Sequence, residues 1–122
     1  MAAGRYNFTI EQGATFTRIF KYKDATGSAI DLSEATEIRM HIRKNIDDNS
    51  FITGGSFALG SGFTRSIPAG GSVQNEITLI IPAVTTSLYT FNQAVYDIEI
   101  DNQGTTTRLL QGNIKLSKEV TR

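Results

Sequence analysis

The chain has no cysteine and no tryptophan among its 122 residues, and only one histidine and two prolines. Without thiols there is no disulfide framework, no thiolate nucleophile and no zinc–thiolate site, and folding in a reducing cytoplasm is compatible. The lone His41 leaves a catalytic triad or a His-based metal centre without a second imidazole. Net charge is missing as well. Twelve basic residues against twelve acidic ones argue against a protein that coats phosphate backbones, so nucleic acid is not an expected partner. No run approaches the ~20 apolar residues of a membrane helix, and the opening MAAGRYNFTI lacks the apolar core of a secretory signal. A soluble chain with no membrane partner is the expectation.

What is present suits a turn-rich β protein: 11 glycines, abundant Ser and Thr, and 39% hydrophobic residues. A chain of this length fits one domain, residues 1–122, burying roughly two-thirds of its unfolded surface. Residues 94–116, AVYDIEIDNQGTTTRLLQGNIKL, organise the rest. Tyr96, Ile98 and Ile100 alternate with Val95, Asp97 and Glu99, the period of a half-buried strand. Asn102, Gln103 and Gly104 turn the chain back, and Leu110, Ile114 and Leu116 are the inward residues of the return. Gly112 inside that strand predicts a bulge, a kink or a close backbone approach.

Further strands are predicted at Tyr6, Phe8 and Ile10, at Phe16 to Tyr22, at Glu37 to Lys44 and at Glu76 to Ile81, where Pro82 removes a donor and ends the run. Residues 51–53 read as a short strand, residues 33–36 as one turn, and Val84 to Leu88 as one helical turn capped by Thr85, Thr86 or Ser87. Seven to eight strands with turn signals predict an all-β, antiparallel, immunoglobulin-like β-sandwich. Its core is Phe16, Phe20, Ile38, Met40, Ile42, Ile77, Leu79, Tyr96, Ile98, Ile100, Leu110, Ile114 and Leu116. Glycines break the alternation in residues 45–75, and residues 45–72 within it read as a protruding hairpin or flap.

The candidate constellations are sparse. Arg39, His41 and Arg43 share one strand face and form a cationic stripe, or a solvated face paired across the sheet. Asp97, Glu99 and Asp101 alternate along a strand, roughly 7 Å apart, too far for three carboxylates of one strand to hold one ion; pairing with Arg or Lys is the expectation. Asp47, Asp48 and Asn49 lack the spacing of a calcium loop, and the double glycines 54–55 and 70–71 lack the Lys-Ser or Lys-Thr of a phosphate loop. Tyr89 and Phe91 read as corner plugs, with a glycan-binding surface as the other use. No catalytic residue, cofactor or metal is expected, and the chain is not read as an enzyme.

The strings EQGATF (residues 11–16), GSAIDLS (27–33), RMHIR (39–43), YDIE (96–99) and TRLLQG with SKEVTR (107–122) resemble those of small structural proteins of tailed bacteriophages. The resemblance implies a virion component with no enzymatic role, a tail or baseplate adaptor linking the tail body to fibres or spikes. A capsid decoration protein and a carbohydrate-binding module for host attachment are the alternatives. It implies other virion proteins as partners, with homo-oligomeric or ring-associated copies, in a virion assembled in the host cytoplasm. Both termini read as surface segments with few internal contacts, and Arg5, Lys115, Lys118, Glu119 and Arg122 are the candidate protein-interaction residues.

Overall fold

A computed structural model describes residues 4–23, 26–27, 30–67, 70–71, 74–102 and 104–119. The chain is all-β, with strands β1 (Gly4–Arg5), β2 (Phe8–Glu11), β3 (Phe16–Lys21), β4 (Ala35–Arg43), β5 (Ser56–Leu59), β6 (Gly62–Ser66), β7 (Glu76–Ile81), β8 (Gln93–Asn102) and β9 (Thr105–Ser117), and one helical turn, α1 (Ala83–Thr86). Hydrogen bonding runs through a single nine-stranded sheet in the order β1-β9-β8-β4-β5-β6-β7-β3, with β2 also on β9. The sheet is open and curled. An immunoglobulin-like sandwich has two separate sheets; here the strands belong to one continuous ladder.

β1 and β2 are two pieces of one edge strand, both parallel to β9. The break between them is imposed by Gly112, where a Cβ would run into the Tyr6 carbonyl and the Asn7 side chain. The Asn7 Oδ1 then accepts from the Asn113 N–H at 2.9 Å, and the Tyr96 hydroxyl donates to the Tyr6 carbonyl at 2.5 Å. The predicted irregularity at Gly112 is therefore a close backbone approach. The bulge lies nearby: Ile98 pairs with Leu110 and Glu99 with Arg108, leaving Leu109 as the extra residue. Leu109 turns inward and Leu110 is only partly buried, so the expected phase slips by one there.

Curling brings β2 face to face with β3. Phe8 stacks on Phe16 at 5.1 Å between centroids, and Tyr6 meets Phe20 edge-on at 6.0 Å. Between those rings sits Arg18, its guanidinium 5.7 Å from the Tyr6 ring and 5.5 Å from that of Phe16. An inward charge on an edge strand discourages unwanted strand pairing.

All the predicted core positions other than Leu110 are buried, joined by Phe8, Ile10, Leu32, Ile81, Tyr89 and Phe91 among others. Residues 45–72 do not stand apart as one flap. They contribute β5 and β6 to the middle of the sheet, burying Phe57 and Phe63, while residues 44–51 form an exposed loop. Phe51 to Thr53 is not a strand; the Ile52 N–H instead donates to the Ile42 carbonyl at 2.8 Å. Where β4 extends beyond β5, Arg65 fills in, its Nη1 donating to the carbonyls of Leu32 (2.8 Å) and Ala35 (2.7 Å).

Candidate functional site

Two features of this fold collect the residues singled out by sequence. The first is the corner between β2 and β3. Gln12 donates from Nε2 to the Tyr89 carbonyl at 2.8 Å, and its Oε1 accepts from the Glu119 N–H at 3.1 Å. Its own N–H donates to the Ser117 carbonyl at 2.8 Å. The Gly13 N–H donates to Thr86 Oγ1 at 3.0 Å, and the Thr86 hydroxyl donates to the Ala14 carbonyl at 2.9 Å. Gly13 has φ 83°, a conformation that favours glycine, and the Glu119 carboxylate lies over its bare Cα. Thr86 is thus a buried clamp and not a helix cap; Pro82 holds the N-cap position, and no side chain caps α1.

This corner corrects the expectation of two loose ends. The chain through Glu119 is fastened to residues 12–13, and Gly4 pairs with Leu110. Met1 to Ala3 and Val120 to Arg122, including the candidate Arg122, lie outside the described residues. Tyr89 and Phe91 are buried, their rings 5.5 Å apart, and the Tyr89 hydroxyl donates to the Gly54 carbonyl at 2.8 Å. They plug a corner and present no ring to a sugar.

The second feature is the outer face of β4, β8, β9 and β1. Strand register lays His41, Asp97, Gln111 and Arg5 in one row across it. Arg43, Val95 and Asn113 form the next row, and Arg39, Glu99 and Arg108 the row on the other side. Alternation fixes this: the partners of these side chains within each strand, Met40, Ile42, Tyr96 and Ile98, point into the core.

Charge is distributed unevenly over the rows. Arg39 is saturated, at 2.7 Å from Asp101, 3.0 Å from Glu99 and 3.5 Å from Glu37. The Asp101 hydrogen bond raises the Arg39 pKa, and the same contact, helped by Thr106, holds the Asp101 carboxyl below the ordinary range. The acidic row is thus paired across the sheet, and among the described residues no group of three or more His, Asp or Glu is placed to hold a metal.

Asp97 differs. Its one ion pair among the described residues is a long 3.5 Å contact with Arg108 Nε. Burial, with the Glu99 charge beside it, pushes its carboxyl pKa up despite the pull of Arg108, His41 and Arg43. Around it opens a trough of about 420 Å³ lined by Arg5, His41, Arg43, Ile46, Val95, Arg108, Gln111 and Asn113. His41 meets Phe51 at a tilt, ring centroids 5.0 Å apart, and its Nδ1 lies 3.4 Å from Arg43 Nη2.

The chain matches no protein-family model and no curated protein.

Of the candidate interaction residues, Arg5 lines the trough. Lys115 is exposed farther along β9, between Gln93 and Thr9, and Lys118 is exposed beyond it. Glu119 belongs to the corner. The structure therefore separates a set that the sequence had grouped by proximity to the ends. Sequence reading missed Arg108 and Gln111 because only the pairing of β9 with β8 and β1 brings them to His41 and Arg5.

Proposed function

We propose that this chain is a non-enzymatic structural component of a tailed-bacteriophage virion, a tail or baseplate adaptor joining the tail body to fibres or spikes. One observation carries the reading: the resembling strings from opposite ends meet at a single corner, where Gln12 holds both Ser117 and Glu119. Those residues build a fastening. A fastening of this kind suits a protein whose work is packing. In this role the curled sheet serves as a two-layered, immunoglobulin-like sandwich, one layer offering its polar outer face to a neighbouring virion protein.

Stoichiometric incorporation tests this. Quantitative mass spectrometry of purified particles carrying the gene for this chain is expected to find it at a fixed ratio to the other virion proteins, retained through density-gradient purification. Recovery of the chain only in the soluble lysate would overturn the assignment.

A further inference from the structure

The outer sheet face holds a concentration of cations that the described residues leave mostly unmatched. Within the trough, the Arg5, Arg43 and Arg108 guanidiniums stand against the single carboxylate of Asp97. Arg5 makes no ion pair or hydrogen bond through its side chain to a described residue. Arg43 commits Nη1 to the Asp48 carbonyl at 2.9 Å with Nη2 3.4 Å from His41 Nδ1, and Arg108 reaches Gln111 Oε1 at 3.3 Å and Asp97 at 3.5 Å. A guanidinium carries five donors in a fixed fork, so most of the donors here remain unused. The contrast with Arg39, saturated on the same face, shows that the sheet does neutralise an arginine where structure alone is served.

We propose that this trough is a binding site for an acidic peptide segment, taking an Asp or Glu side chain between the arginines and an adjoining apolar residue against Ile46. The inference stands on the charge and shape of the trough and extends the adaptor reading by giving the partner's chemistry. Guanidinium pairs with carboxylate through two parallel hydrogen bonds, and the fork geometry makes such contacts directional. A volume of about 420 Å³ suits one or two side chains. Ile46 is 82% exposed on the rim and Val95 lines the wall, which supplies apolar contact that a bare inorganic anion would not use. Asp97 inside the trough opposes a densely charged phosphate chain more than a lone carboxylate. Zero net charge over the whole protein gives no long-range pull on nucleic acid.

The test is titration of the isotope-labelled full-length protein, followed by amide shifts, with the synthetic peptide Gly-Asp-Leu-Glu-Leu-Asp-Gly at roughly 50 mM salt, where screening is weak. Shifts confined to Val95, Gln111, Asn113 and their neighbours are expected. Arg5→Gln combined with Arg108→Gln should weaken binding by about tenfold or more, the size of one lost charge-assisted hydrogen bond, whereas Lys21→Gln on the far edge should not change it. Asp97→Asn removes the competing carboxylate and should tighten binding, a gain that misfolding cannot imitate. No binding by the peptide, or binding unchanged in the double variant and in Asp97→Asn, would overturn the proposal. Tighter binding of a thymidine oligonucleotide or of sialyllactose at the same salt would overturn it in favour of phosphate or glycan. Virion incorporation is measured separately, so a failed titration leaves the adaptor reading standing on its own test.

Discussion

The carbonyl of Tyr6 occupies the space a side chain on residue 112 would fill, so Gly112 lets the edge strand press against β9 between β1 and β2. This approach keeps Arg5 in register beside Gln111 and so builds one wall of the trough. Gly112→Ala is expected to cost about 1–3 kcal/mol or more, as overpacking does in a well-filled site. Gly60, whose Cβ would meet nothing within 4 Å, is the control for steric loss, its cost coming only from its φ of 85°. Urea midpoints of the two alanine variants separate the effects, and equal unfolding midpoints would remove the steric account.

The Tyr96 hydroxyl donates to that same carbonyl, and burial pushes the pKa values of Tyr96 and Tyr89 above the ordinary tyrosine range. In the unfolded chain both hydroxyls ionise near 10 while the folded protein keeps its protons. The unfolded state therefore binds fewer protons than the native one there, and stability falls as pH rises through about 10. Tyr96→Phe should cost about 1–3 kcal/mol at neutral pH by stranding the Tyr6 carbonyl and flatten part of the alkaline decline. Absorbance at the tyrosinate band, recorded with unfolding curves, checks both.

Asp97 and Asp101 lie on one strand and should respond oppositely to neutralisation. Asp101 has a depressed pKa, so its contribution is present above the unfolded carboxylate range and is lost as pH falls through its folded value. Asp101→Asn should destabilise at pH 7 and matter less in acid. Asp97 has a raised pKa; its ionisation opposes folding once pH exceeds that of the unfolded carboxylate, so Asp97→Asn should leave stability unchanged or increase it at pH 7. Thermal midpoints at pH 7 and pH 3 are the measurement, and a loss for Asp97→Asn matching that of Asp101→Asn would contradict the assignment.

Phe63 is fully buried in β6, in the middle of the sheet. Phe63→Ala should cost about 3–5 kcal/mol, as truncation of a core aromatic does. A cost near zero would return residues 56–66 to a flap.

Alternation made β4, β7, β8 and β9 legible, because each buries one face and a period of two survives in their side chains. Single-residue departures hid the rest. The bulge at Leu109 reversed the phase of Leu110, and glycines at 60 and 62 interrupted β5 and β6 so that a central region read as a flap. The parallel pairing of Phe8 with Ile114 joins residues more than a hundred positions apart, and no local pattern encodes it. The trough was illegible for the same reason. His41 and Asp97 were visible as members of polar strand faces, and Arg5 as a charge near an end, but only cross-strand register sets Gln111 between Asp97 and Arg5 and brings Arg108 beside Glu99.

Electron cryo-microscopy of intact particles tests the central claim most directly. The account predicts density for a curled nine-stranded sheet in the tail or baseplate, with the face bearing Arg5, Arg43 and Arg108 covered by a neighbouring chain. Particles whose tail and baseplate density is fully accounted for without this fold would contradict it.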